Sequence, residues 1–234
     1  GAGEDVLRHI NLDIQPGQFV AIVGGTGTGK SSLVNLIPRF YDVHKGQVLV
    51  DGLDVRDYPL DGLRGRIGMV LQNNVLFSGT IRENLLWGNE NASEEDLVQA
   101  ARDAQAYDFI MSFPDGFDTR LDQGGVNVSG GQKQRLCIAR AMVRKPAVLI
   151  LDDSTSAVDS ATEGKIRESF RENLKDTTVI IIAQRISSVQ YADKIVVLDD
   201  GAVTDTGAHD ELMKSSKIYK EIYDSQQEGG CENG

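Results

Sequence analysis

Cysteine, long apolar runs and positive charge are all scarce in this chain. Its 234 residues hold two cysteines: Cys137 inside an apolar helical pattern, and Cys231 in a Gly/Glu/Asn tail. Neither has metal-ligand spacing or an evident bridging partner, which argues against a disulfide framework and favours a reducing, cytosolic setting. The longest apolar runs, 147–151 and 179–183, are strand-sized. They fall far short of the roughly 20 residues that cross a bilayer, so no membrane span is expected. The opening Gly1-Ala2-Gly3-Glu4-Asp5 has neither the basic flank nor the apolar stretch of a signal peptide, and no initiator Met. A piece of a longer chain is expected. Lys and Arg number 24 against 35 Asp and Glu, a formal net charge of −11. A surface so acidic lacks the basic footprint for phosphate backbones, so nucleic acid is not an expected partner.

What is present is enough for a core. With 40% hydrophobic and 25% charged residues, a chain of this length folds without metal or disulfide staples, and disorder and collagen-like repetition are excluded. Short apolar runs alternate with helical patterns, the signature of an α/β protein. Strands are expected at 19–23, 47–50, 67–71, 148–151, 178–183 and 194–198. Asp51-Gly52 and Asp200-Gly201, the latter ahead of Ala202 to Thr204, read as tight hairpin turns, so the sheet should be mixed rather than wholly parallel.

The middle third reads as helical. Ser93-Glu94-Glu95-Asp96 has the shape of a capping box and precedes helical periodicity through Ala101, Ala104, Phe109 and Ile110. A further helix is expected from Ser129 to Arg144, stopped before Pro146. The expected organisation is an α/β core of residues 1–72 and 145–226, a helical insertion at 73–144, a last helix from Asp210 to about Gln226, and a disordered tail at 227–234. His9, His44 and His209 form no ligand spacing and read as surface or core residues. Trp87 and Tyr107 read as packing residues of the helical insertion.

The chemistry begins at Gly24-Gly25-Thr26-Gly27-Thr28-Gly29-Lys30-Ser31. This is the spacing of a phosphate-binding loop, set between an expected strand and an expected helix, the context that such a motif requires. Glycines let backbone N–H groups turn inward around phosphate oxygens, the helix start adds the positive end of its dipole, and a lysine reaches the β- and γ-phosphates. Gly25, Thr26, Gly27, Thr28, Gly29, Lys30, Ser31 and Ser32 are therefore the candidate ATP ligands, with Ser31 on Mg²⁺. The apolar run 148–151 ends in Asp152, as expected of the strand whose carboxylate meets Mg²⁺ beside such a loop. Asp153, next along, can serve as general base for an attacking water.

Val128-Ser129-Gly130-Gly131-Gln132, opening the helix that leads to the Asp152 strand, resembles the signature sequence of ATP-binding cassette (ABC) proteins. The resemblance covers nearly the whole chain. Gln72 resembles the family's Q-loop glutamine, a ligand of Mg²⁺ and a part of the catalytic site. Ser156-Ala157-Val158-Asp159 resembles its D-loop, and Gln184 stands where its switch histidine is expected. Residues 76–84 and 125–129 resemble the exporter branch, whose cassettes are fused to transmembrane helices. The family implies a P-loop NTPase core with an inserted helical subdomain, working at the cytoplasmic face of a membrane. It also implies a head-to-tail dimer, in which ATP on one cassette's loop meets Ser129, Gly130, Gly131, Gln132 and Asp159 of the other.

Four departures from the family pattern matter. Asp153 replaces the usual Glu and is shorter by one methylene. Gln184 replaces histidine and cannot carry a proton. No aromatic precedes Phe19 to stack on adenine, and Gln123 stands where exporters often carry Glu. The first two fall on the same ATP site while the signature is whole, which resembles the degenerate half of a heterodimeric exporter, a weak site beside a stronger partner. The alternative is a nucleotide-gated dimerisation module without useful turnover. Soluble ABC ATPases of DNA repair or translation carry coiled coils or paired cassettes with basic arms, which this acidic chain lacks.

Overall fold

The first apolar run, Phe19–Val23, forms strand β1 with all five side chains buried, the continuous pattern of a strand covered on both faces. In the computed structural model the described residues are 5–152 and 157–231, the last five by backbone alone. The glycine loop 24–29 follows β1, and helix α1 takes Lys30–Asn35. Strand β2 (Leu49–Val50) turns through Asp51-Gly52 into β3 (Leu53–Asp54). Both turn residues have positive φ, 49° and 77°, as the expected tight hairpin requires. Helix α2 (Leu60–Gly65) leads into β4 (Ile67–Val70).

The middle third is helical, as expected. Strand β5 (Gly79–Thr80) runs straight into α3 (Ile81–Leu86), followed by α4 (Glu94–Asp103), α5 (Tyr107–Ser112), β6 (Arg120–Leu121) and α6 (Gly130–Val143). The capping box at Ser93 is present: its hydroxyl accepts from the Asp96 N–H at 3.2 Å, and the Asp96 carboxylate accepts from the Ser93 N–H at 3.1 Å. Thr80 and Glu83 cap α3 in the same way. The antiparallel pair β5·β6, Gly79 against Leu121, is an addition to the expected elements.

The chain then gives β7 (Val148–Asp152), α7 (Ser160–Asn173), β8 (Thr178–Ile182), β9 (Lys194–Asp199), β10 (Ala202–Gly207), α8 (His209–Ser215) and α9 (Lys217–Cys231). Asp200 and Gly201 turn β9 into β10 at φ 42° and 73°. One final helix was expected, and there are two. Ser216 between them is extended, with φ −98° and ψ 116°. Its hydroxyl donates to the Asp205 carboxylate at 2.8 Å and accepts from the Tyr219 N–H at 3.1 Å, a tie to β10 that local periodicity does not report. Residues 227–231, expected in the tail, continue α9, since each residue added to an existing helix gains one backbone bond.

The chain falls into two units, Gly1–Arg64 with Val179–Gly234, and Gly65–Thr178. The first holds β1, β8, β9 and β10 in the order β10-β9-β1-β8. β1 is parallel to β8 and β9, and β10 is antiparallel to β9, so the expected α/β class with a mixed sheet is observed. The second unit pairs β4 with β7 in parallel and carries α3 to α7; the expected insertion 73–144 lies inside it. Buried Asp103 holds that unit's helices. Its Oδ1 accepts from Gln99 at 2.9 Å, Ser169 at 2.9 Å and Asn173 at 2.6 Å, tying α4 to α7.

Candidate functional site

Parallel strands deliver their following loops at one edge, the usual position of a ligand crevice in α/β sheets. In the first unit β1 and β8 are neighbours with Ile22 opposite Ile182, so the glycine loop and Gln184 leave adjacent strand ends. Lys30 folds back over the loop, its Nζ donating to the carbonyls of Gly24 at 2.9 Å and Gly25 at 2.6 Å. Thr28 Oγ1 donates to the Gly25 carbonyl at 2.9 Å. Gly25, Thr26, Gly27 and Ser31 are exposed, while Thr28, Gly29 and Ser32 are half-buried.

The glycines of this loop answer to different constraints. Gly27 and Gly29 sit at φ 80° and 95°, where a side chain is strained. Gly24, at φ 157°, is needed for a neighbour as well: a Cβ there would stand 2.1 Å from the Leu198 carbonyl oxygen on β9. Around Gly27 nothing lies within 4 Å of such a Cβ, so the mouth of the loop is open. Gly29, the N-cap of α1, is left-handed and offers no side-chain cap. Open glycine backbone, a tethered ammonium and a helix start without a side-chain cap together fit an anionic phosphate chain.

In the second unit β4 and β7 are likewise parallel neighbours, Val70 opposite Leu151. Gln72 is exposed two residues beyond β4, and Asp152 is the buried last residue of β7. Asp153, and Ser156 at the start of the D-loop segment, lie outside the described residues.

The signature segment opens helix α6. Ser129 Oγ accepts from the Gln132 N–H at 3.2 Å, and Gln132 Oε1 accepts from the Ser129 N–H at 2.9 Å. Both side chains therefore cap the helix, and the amides of Gly130 and Gly131, which have no partner inside it, are the donors left at its start. Gly131 is close to the D-loop segment: a Cβ would come 3.0 Å from the Ala157 carbonyl oxygen. Buried Gln134 accepts from the Ala157 N–H at 3.0 Å. Sequence reasoning passed over Gln134; a glutamine on the buried face of α6 just past the signature was the available signal. Asp159 caps α7 by accepting from the Thr162 N–H at 2.9 Å. That bond, the largest cause, holds its carboxyl below the usual range. Burial lowers the pKa of Arg135, which donates to the Gln105 carbonyl at 2.7 Å and lies over the Phe109 ring.

Trp87 corrects an expectation. Read as a packing residue, it is 67% exposed, with its ring stacked on Phe77 at 5.0 Å. The two line a groove of about 260 Å³ with Met69, Arg140 and Arg144. Tyr107 does pack, half-buried beside Phe117 with Arg102 over its ring. His9 and His44 are exposed, and His209 meets the Tyr219 hydroxyl at 2.9 Å. Gln123 is exposed at the start of a short turn, Gln123–Gly125. Among the described residues no helix is long and apolar enough to cross a membrane.

Residues 7–156 match the family model described as ABC transporter. The chain is 48% identical over 223 residues to a Bacillus subtilis protein, YgaD, named for multidrug export as an ATP-binding/permease protein; the match covers 95% of this chain and 38% of that one. A Staphylococcus aureus protein of the same kind of name, SAOUHSC_02003, is 48% identical over 221 residues, covering 94% and 38%. The structure of a bacterial Atm1-family ABC exporter with ATP bound superposes with a TM-score of 0.91 at 38% identity, covering 96% of this chain and 40% of that one. The chain thus spans about two fifths of the length of these relatives.

Proposed function

The chain belongs to the ABC transporter family, and on that premise we propose that it is an ATP-binding and ATP-hydrolysing cassette powering transmembrane export. The observation that carries this reading is the loop Gly24–Gly29 at the end of fully buried β1, with the Lys30 ammonium held above it. Backbone donors of Gly25, Thr26, Gly27, Thr28 and Gly29, with Lys30, Ser31 and Ser32, would take the phosphates of ATP. Ser31, Gln72 and Asp152 are the residues that would hold Mg²⁺, whose charge offsets that of the β- and γ-phosphates. Asp153 takes the proton of the attacking water, and the Gln184 amide hydrogen-bonds the γ-phosphate.

A second cassette completes the reading. In a head-to-tail dimer Ser129, Gly130, Gly131, Gln132 and Asp159 serve the ATP held by a partner. The short Asp153 and the proton-incapable Gln184 weaken this chain's own site while its signature is intact, so the partner is a different cassette with the stronger base. The groove at exposed Trp87 and Phe77, rimmed by Arg140 and Arg144, is the docking face for a transmembrane part, and the cassette works at the cytoplasmic face of the membrane. Large exposed apolar groups of this kind mark interaction sites.

Two measurements test the reading. Calorimetric titration with MgATP should show Lys30→Ala weakened about 10- to 150-fold, the loss of a charge-assisted contact of roughly 1.5–3 kcal/mol. Phosphate release should rise when the partner cassette is added. Equal affinities would remove the phosphate assignment, and turnover absent with and without the partner would reduce the chain to a nucleotide-gated dimerisation module.

A further inference from the structure

Helix α9 reaches back to the loop that carries Gln184. Its inner face holds wholly buried Tyr219, and Gln226 stands seven residues on, two turns along the same stripe. The helix is anchored at its start, where the Ser216 hydroxyl bridges Asp205 and the Tyr219 N–H. At Gln226 the stripe turns polar. The Gln226 Nε2 donates to the carbonyl of Gln184 at 2.6 Å, and its Oε1 accepts from the N–H of Ile186 at 2.8 Å. One planar amide therefore grips the main chain on both sides of Arg185, immediately beyond β8.

We propose that Gln226 is a positioning residue for Gln184, clamping the loop after β8 so that the Gln184 side chain meets the γ-phosphate in one place. This rests on the role given to Gln184 above. The chemistry of the clamp is specific. A carbonyl and an N–H must be met at once, and among side chains of this length only a carboxamide both donates and accepts without charge. A carboxylate would accept only and would face the Gln184 carbonyl oxygen. An apolar residue would suit the helix stripe equally well but would leave two main-chain groups without these partners. Holding Gln184 O and Ile186 N together fixes the two peptide planes that flank Arg185, the first of which carries the Gln184 carbonyl, and displacement of a reacting group by about 1 Å lowers rates by as much as 100-fold.

The test uses the complete exporter in lipid vesicles with the partner cassette's catalytic carboxylate removed, so that steady-state phosphate release, read as kcat and KM for MgATP, reports the site that holds Gln184. Gln226→Met keeps side-chain length and helix propensity while removing both bonds. It should lower kcat about tenfold with KM changed less than about twofold, and Gln226→Glu should not restore it. Amide exchange at Ile186 should rise. In a Gln184→Ala background, itself slow, Gln226→Met should cause no further loss, because the clamp acts only through Gln184. Unchanged kcat in Gln226→Met beside a slowed Gln184→Ala would overturn the clamp and leave the Gln184 assignment standing. An equal further loss in the Gln184→Ala background would also overturn it, since Gln226 would then act by another route. A Gln184→Ala variant as fast as the parent would remove both the assignment and the clamp.

Discussion

Substituting alanine at Gly24 and at Gly27 should separate two reasons for glycine within one loop. At Gly24 the new Cβ would stand 2.1 Å from the Leu198 carbonyl oxygen, where ordinary contact begins at 3.4 Å. Leu198 is backbone of β9, paired beside β1 through Val23 and Val197, so the clash cannot be relieved by turning a side chain. β9 has to retreat by about 1 Å, an overpacking penalty of about 1–3 kcal/mol, with one or two ladder bonds weakened at about 0.5–1.5 kcal/mol each. The sum is about 1.5–6 kcal/mol. At Gly27 nothing lies within 4 Å, and only the left-handed backbone at φ 80° is penalised, by about 1–2 kcal/mol. With a urea slope of about 2 kcal/mol/M, the midpoint should fall by about 0.75–3 M for Gly24→Ala and by about 0.5–1 M for Gly27→Ala. Urea-dependent amide exchange of peptides from β1 and β9 reads this directly. Equal midpoints for the two variants, or a larger loss at Gly27, would refute the argument that Gly24 is there for β9 rather than for the ligand.

Gly130→Asp places a carboxylate at the start of α6. It should leave MgATP binding at Lys30 unchanged while lowering hydrolysis by the assembled pair about 100- to 1000-fold, the scale of a lost oxyanion-type donor; photolabelling and phosphate release read the two effects. Asp153→Glu with Gln184→His should raise the rate of the paired cassettes, since reach and a proton-capable switch return together, and a double variant that folds, pairs and is no faster would end the degenerate-site account. Asp103→Leu deprives Gln99, Ser169 and Asn173 of their shared acceptor. It should lose about 3 kcal/mol, a melting temperature lower by about 6–12 °C, and Asp103→Asn should lose less because an acceptor oxygen remains.

What the sequence made legible was local. The run at β1, the paired turn residues Asp51-Gly52 and Asp200-Gly201, and the Ser93–Asp96 box each carry their structure in a few adjacent residues, and each formed as read. The β5·β6 pair joins two-residue strands some forty positions apart, too short for any periodicity to register. The break at Ser216 depends on Asp205, a tertiary partner that overrides helical patterning. Trp87 reads as a packing residue because large aromatic residues are on average well buried, and that statistic does not register which ring the fold leaves at the surface, where Trp87 is 67% exposed. Among the candidate site residues, loop spacing pointed to Lys30 and a strand end to Asp152, whereas Gln72 and Gln184 came from the family resemblance. The capping duty of Gln132 and Asp159, and the grips of Gln134 and Gln226, depend on which main-chain groups need partners, and composition alone does not reveal these.

The groove at Trp87 also has an optical consequence. The chain has a single tryptophan, two thirds exposed and stacked on Phe77, while Tyr219 and the other tyrosines emit at shorter wavelength. Excited at its red edge, the protein reports from that one indole and so from that one face. Covering the groove with an apolar segment should shift the emission to the blue and shield it from iodide, with no label added and no residue changed. Covered and uncovered populations can then be followed in real time while nucleotide is varied, making the aromatic pair a native gauge of whether that face is covered.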